Sequence, residues 1–204
     1  MYNLTEQQKE LCAKEVIMFN RLITTEEQRS TKEYITLCDN LLKEEFNEML
    51  DASTKEDQVQ YLDGVCDTFV TLVQLQDALG KDSFTSELLE DYVVVPHVSG
   101  YYCWPTPAKR RRDYYGAILE VCRSNLTKVP TIREVIGMYG PDLAIACEAA
   151  KDWVETHRSY KGIWWDTVVD ADWTWRVVFK DENNKVMKPW CFEEPQLEQF
   201  ISSY

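Results

Sequence analysis

No run of about 18 apolar residues occurs in this chain of 204 residues, so no stretch has the length that a membrane-spanning helix needs. The first residues, Met1-Tyr2-Asn3-Leu4-Thr5-Glu6, carry no basic segment and no signal-like apolar segment. Cys-x-x-Cys is absent, and the seven cysteines are scattered and odd in number. That usage argues against a disulfide framework and for a reduced, cytoplasmic protein; Cys38 and Cys66 fall among apolar helical positions, where a small buried thiol is the ordinary explanation. The two histidines, His97 and His157, stand alone and match no ligand spacing. Internal repeats and low-complexity tracts are also missing. Positive charge is scarce: 22 Lys and Arg face 35 Asp and Glu, for a net charge of −13. Such a surface repels phosphate backbones, which disfavours a nucleic-acid partner and admits the opposite idea, an acidic decoy. The exception is the run Lys109-Arg110-Arg111-Arg112, read as a solvated loop with a phosphate contact as its rival.

What is present is enough apolar material, 45% of residues, for a sizeable core, mostly at helical spacing. Residues 6–23 read as a helix with a stripe of Leu4, Leu11, Val16, Phe19 and Leu22. A polar connection from Thr24 leads to Thr31, which can cap a second helix running to about Met49 through Tyr34, Leu37, Cys38, Leu41, Leu42 and Phe46. Residues 51–55 read as a short turn. A third helix over 56–79 turns Val59, Leu62, Cys66, Phe69, Val70 and Val73 inward and ends at Gly80. A short helix over 83–90 and a small Pro-limited hairpin or lid over 92–105 follow. Three more helices are expected over 113–126, 131–139 and 142–160. The aromatic, β-branched stretch from Trp164 to Phe179 predicts a strand over 173–180 that returns through Lys185-Val186-Met187, and its aromatics read as core or an oligomer contact.

Two acidic pairs stand out. Glu45 and Glu48 are three apart, Asp63 and Asp67 four apart, and each pair projects from one helix face beside apolar residues. If the two helices pack antiparallel, four carboxylates converge. Together they are costly unless a cation neutralises them, and hard oxygen donors suit Mg²⁺ on a phosphorylated substrate. The plainer reading of each pair alone is a solvated helix face.

The segment Glu44-Glu45-Phe46-Asn47-Glu48-Met49 resembles the Glu-Glu-x-x-Glu helix of the all-α nucleoside triphosphate pyrophosphohydrolases, the superfamily of MazG, dimeric dUTPases and phosphoribosyl-ATP pyrophosphohydrolase. Asp63-Gly64-Val65-Cys66-Asp67 is similar to the Asp-Gly-x-x-Asp form of the phosphoribosyl-ATP-pyrophosphohydrolase-like branch, many of whose members are phage-encoded. Val16-Ile17-Met18-Phe19-Asn20 resembles that branch's Val-x-x-Phe-His, with Asn20 in place of His. Arg123-Ser124-Asn125-Leu126-Thr127-Lys128 resembles its Arg-Ser-Asn-x-Ser/Thr-Lys stretch. Asn184-Lys185-Val186-Met187-Lys188-Pro189 and Glu194-Pro195-Gln196-Leu197 resemble its Gly-Lys-Val-x-Lys and Pro-Pro-x-Leu elements. Many members carry an acid three residues before the last Asp, where this chain has Gly64.

The resemblance implies a mainly α fold: a MazG-like helical bundle in a single domain over 1–204. Its core would be about 6–80 and 113–128 with a tail at about 180–200; insertions would cover about 82–112 and 130–178, one with a small β-hairpin. It implies Mg²⁺-dependent (Mn²⁺ as the alternative ion) cleavage of a nucleoside or deoxynucleoside triphosphate to monophosphate and pyrophosphate. Glu45, Glu48, Asp63 and Asp67 would hold the metal, Glu44 would be the water-activating base or a further ligand, and Asn125 and Lys128 would meet the phosphates. For Asn125 and Lys128 the plainer reading is an ordinary helix C-terminus. A homodimer is expected, with no nucleic-acid or membrane partner, in the cytoplasm, or the host cytoplasm for a phage protein. The rival function is a non-catalytic acidic decoy or a nucleotide-sequestering protein on the same scaffold. Base and sugar preference are not encoded legibly; Tyr101, Tyr102 and Trp104 are candidates for a base pocket.

Overall fold

The computed structural model describes residues 4–80 and 112–201. The expected helix over 83–90, the hairpin or lid over 92–105, His97, the aromatic candidates Tyr101, Tyr102 and Trp104, and Lys109–Arg111 lie outside the described residues. The described elements are α1 (Glu6–Ile23), α2 (Glu26–Arg29), α3 (Lys32–Thr54), α4 (Gln58–Ala78), α5 (Tyr114–Leu126), α6 (Ile132–Tyr139), α7 (Leu143–Arg158), β1 (Trp164–Val169) and β2 (Trp175–Lys180), with a 3-10 turn at Glu198–Phe200. The fold is mainly α with one small antiparallel hairpin, consistent with a MazG-like helical fold. By packing, the chain divides into two compact units: Met1–Ile17, Glu26–Val121 and Gln196–Tyr204 form one, Met18–Thr25 and Cys122–Pro195 the other.

The first unit is built on the α3–α4 hairpin. Thr31 caps α3 by accepting from the Tyr34 N–H, and Asp57 caps α4 by accepting from Val59 and Gln60. The turn expected at residues 51–55 is instead the last turn of α3. No Gly or Pro interrupts it, and Ala52 extends the buried stripe of Cys38, Leu42 and Met49. Lys55, at the C-cap, pairs with Asp51 at 2.6 Å. α4 is buried on nearly every side from Tyr61 to Ala78, the mark of a central helix. Its hydroxyls are satisfied within the helix: Thr68 donates to the Gly64 carbonyl and Thr71 to that of Asp67. Arg29 meets Asp77 at 3.4 Å, with both side chains largely buried. Arg112 is no solvated-loop residue. It donates to Gln58 and covers the Tyr61 ring at 4.8 Å. The C-terminal tail returns to the start of α5, where the Asp113 N–H donates to the Phe200 carbonyl and Gly116 leaves room for the Phe200 ring.

The stripe expected on α1 is corrected. Leu11 is exposed, while Cys12, Ala13, Val16, Asn20 and Ile23 are buried. Small residues and one amide occupy that face, which a search for large apolar side chains overlooks.

In the second unit β1 pairs antiparallel with β2, Trp164 opposite Lys180 and Val169 opposite Trp175. The strand over 173–180 is thus close to expectation, but its partner is not residues 185–187. Val186 makes only an isolated bridge to Lys180, and the paired strand is β1. The cause is Asp170, whose side-chain oxygen accepts from Asp172 at 3.0 Å and Thr174 at 2.9 Å, while its other oxygen meets Arg176 at 2.8 Å. These bonds close a turn between the two strands. Successive side chains of β2 point to opposite faces. Val177 and Phe179 pack with Val135, Ala146, Cys147, Ala150 and Val154 from α6 and α7, whereas Val178 packs with Ile23 and Val129. Both helices are well capped, α6 by a capping box of Thr131 and Glu134, α7 by Asp142. Lys180 is buried and donates to the carbonyl of Ile23, the last residue of α1, at 2.6 Å.

Among the described residues, Cys12, Cys38, Cys66, Cys122, Cys147 and Cys191 are free thiols. Burial pushes the Cys38 thiol up to about 11, in keeping with packing rather than reactivity. His157 stacks on Trp153 at 4.6 Å near the end of α7. Among the described residues no helix is long and apolar enough to cross a membrane.

Candidate active site

α3 and α4 are joined by three residues, and they approach closely where Gly64 faces Met49. A β-carbon on Gly64 would stand 2.9 Å from both the Cα and the Cβ of Met49. Next to this contact in sequence lie Glu48 on one helix and Asp63 on the other. Glu45 is one helical turn before Glu48, and Asp67 one turn after Asp63. An acidic side chain at the position of Gly64 has no room here, because its β-carbon would meet main-chain atoms of Met49. Asp63, one residue earlier, is the carboxylate this helix offers instead.

The electrostatics record the gathering of charge. Glu45 is half-buried, and its carboxyl is pushed up from an ordinary 4.5 to about 8, first by burial, then by the negative charges of Asp67, Glu48, Glu44 and Asp63. Glu44 and Glu48 are exposed, and Asp63 and Asp67 are half-buried. The structure therefore brings Glu44, Glu48, Asp63 and Asp67 within electrostatic reach of Glu45. Among the described residues it does not close any three acidic, His or Cys side chains into a group that could hold a metal ion. The donor set fits a hard divalent cation in chemistry: it is carboxylate oxygens only, with the Glu45 carboxyl pushed up by burial and then by its acidic neighbours.

Asn125 and Lys128 belong to the second unit. α5 ends at Leu126, and its last turn tightens through bonds from the Thr127, Lys128 and Val129 N–H groups to the carbonyls three residues back. Asn125 is buried, and its side-chain oxygen accepts from the Lys128 ammonium at 2.6 Å. The loop 188–194 wraps this helix end: Ser124 donates to the Glu193 carbonyl at 2.7 Å and the Glu193 N–H to Thr127 Oγ1 at 3.0 Å. The loop places the centre of the Phe192 ring 5.6 Å from the Lys128 ammonium and 4.4 Å from that of Lys188. Neither Lys188 nor Phe192 was singled out by sequence reasoning for a role. Lys188 falls inside a family-like stretch, but nothing in its spacing reveals that it shares a ring with a residue sixty positions away.

Asn20, which stands where the branch carries His, is fully buried, and its carbonyl accepts from the Thr24 hydroxyl.

Residues 16–79 match the family model of phosphoribosyl-ATP pyrophosphohydrolase. Neither curated proteins nor solved structures yield a match. The matched segment runs from α1 to the end of α4 and contains all five carboxylates. That family belongs to the MazG-like all-α nucleoside triphosphate pyrophosphohydrolase superfamily. The domain it marks is that of a nucleotide pyrophosphohydrolase, a hydrolase acting on phosphoanhydride bonds. The family is typically metal-dependent. Residues 121–128 and 184–197, which carry the later resemblances, lie outside the matched segment.

Proposed function

We propose that this protein hydrolyses nucleoside or deoxynucleoside triphosphates between the α- and β-phosphates, giving a monophosphate and pyrophosphate, with Mg²⁺ as its cofactor and Mn²⁺ as a substitute. The observation that carries the reading is the crowding at Glu45, whose carboxyl is raised to about 8 by burial and four neighbouring acids on the α3–α4 hairpin. Concentrated acids of this kind suit a catalytic cation; a decoy would spread them over its surface.

Glu45, Glu48, Asp63 and Asp67 would hold the cation, which when bound neutralises phosphoryl oxygens as their charge develops. Glu44, exposed beside Glu45, would accept a proton from the attacking water, or serve as a further ligand. Water adds across the α–β anhydride: its oxygen ends on one phosphorus, the bridging oxygen leaves with the other, and the proton passes to a carboxylate. Asn125 and Lys128 would bind substrate phosphate, an amide and a point charge held together at 2.6 Å. We also assign a cytoplasmic location and a homodimer, in which a second copy completes the helical bundle. Light scattering at the mass of one chain across all concentrations would contradict the dimer.

The test is a panel of nucleotides with Mg²⁺. Monophosphate and pyrophosphate should appear in equal amounts; orthophosphate alone contradicts the assignment.

A further inference from the structure

A protein with 35 acids and 22 basic residues has few places where positive charge gathers, and the end of α5 is one. Lys128 and Lys188 both sit over the Phe192 ring, at 5.6 Å and 4.4 Å from its centre. Their ammonium groups are therefore no farther apart than about a Debye length at 0.1 M salt. Two like charges so placed repel, and the ring's negative face offsets part of that cost. Arg123 adds a third cation to the same loop through its 2.6 Å contact with Glu193. The acids that answer these cations are on the outside: Lys188 meets Glu194 at 3.2 Å, and the Glu193 and Glu194 side chains are 66% and 62% exposed. Exposed pairs of this kind contribute little to stability, so a multiply charged anion can displace them. Asn125, by contrast, is buried, and its side-chain oxygen accepts from the Lys128 ammonium.

We propose that Lys188 is a second phosphate-binding lysine: with Lys128 and Asn125 it forms a seat for a di- or triphosphate chain on the Phe192 ring, and Glu194 is the internal counter-ion that the phosphate replaces. This deepens the pyrophosphohydrolase reading and rests on it for the identity of the ligand. The chemistry selects polyphosphates over monophosphates, because two ammonium groups are satisfied together only by an anion that spans both. It also gives Phe192 a role that packing alone does not supply: the ring fixes the heights of two flexible lysine side chains and lowers the entropy lost when both engage one ligand.

The test is calorimetric titration of inorganic pyrophosphate and of inorganic phosphate into the metal-free protein and into Lys188→Ala, Lys188→Arg and Glu194→Gln. Pyrophosphate should bind the parent more tightly than phosphate does. Lys188→Ala should weaken pyrophosphate binding about tenfold, the usual size of a charge-assisted contact. Lys188→Arg should restore most of it, and Glu194→Gln should tighten it. Melting temperatures of all three variants should stay near the parent's, since the Lys188–Glu194 pair is solvent-facing and the Lys188 contact with the Phe192 ring is weak where it is exposed. Pyrophosphate that binds Lys188→Ala as tightly as the parent, or that fails to bind the parent, overturns the seat. The two readings separate cleanly. Lys188-dependent binding without any nucleotide cleavage leaves the seat standing and removes the hydrolase. Cleavage with no Lys188 dependence of pyrophosphate binding does the reverse.

Discussion

Gly64 and Met49 bring α4 and α3 together: a β-carbon at 64 would lie 2.9 Å from the Met49 Cα. Only a residue without a side chain fits there unless the Met49 main chain shifts. Gly64→Ala should destabilise the fold by about 1–3 kcal/mol, despite alanine's better helix propensity, since the clash is with main-chain atoms. Gly64→Asp, which places an acid where many relatives have one, should cost at least as much. Chemical denaturation checks both, and an Ala variant as stable as the parent would mean the helices are farther apart than described.

Glu45 gives the metal-free protein a pH dependence with a definite sign. Its folded carboxyl is raised from 4.5 to about 8, so the folded state holds the proton more tightly than the unfolded state does. This group's destabilising effect is absent below about pH 4.5, grows as pH rises towards 8, and is constant above that. Melting temperature followed from pH 5 to pH 9 in chelator should carry this downward component, and Glu45→Gln should remove it. At pH 8, adding Mg²⁺ should raise the melting point of the parent more than that of Glu45→Gln.

Lys180 anchors the hairpin of the second unit. Burial lowers its pKa, and its ammonium donates to the Ile23 carbonyl at 2.6 Å, at the C-terminus of α1. Lys180→Met keeps the apolar stem but leaves that carbonyl unpaired, and should cost about 1–3 kcal/mol. Lys180→Ala should cost more, since the stem is lost as well. The lowered pKa sets a sign here too. The folded state binds this proton less tightly, so the Lys180 contribution improves as pH rises through the folded pKa towards 10.5. Equilibrium unfolding at pH 7 and pH 10 measures both effects.

Much of this architecture was legible before any coordinates. The α3–α4 hairpin shows in its three-and-four apolar spacing, its cap at Thr31 in the side-chain chemistry that caps require, and its acids in their pairing. Three features were hidden, each for a physical reason. α3 runs on to Thr54 because the buried Ala52 extends its stripe, and alanine carries little pattern signal. The partner of β2 is β1 because the Asp170 side chain closes the intervening turn, a tertiary fact about one carboxylate. The Lys128–Phe192–Lys188 arrangement joins positions far apart in the chain, and no local periodicity encodes it. Gly64 lies between: its departure from the family pattern was visible, but its reason, the Met49 main chain, was not.

The most direct test of the carboxylate site is Mg²⁺-dependent nucleotide hydrolysis by the parent, Glu48→Gln, Asp67→Asn and Glu44→Gln, with melting temperature measured on the same samples. The account predicts that Glu48→Gln and Asp67→Asn abolish turnover and Mg²⁺ binding while metal-free stability holds or rises, because each removes one charge from a crowded set. Glu44→Gln, if it removes the base, should retain Mg²⁺ binding and lose turnover. Variants that all cleave nucleotide at the parent's rate, or that lose stability with activity unchanged, would contradict it.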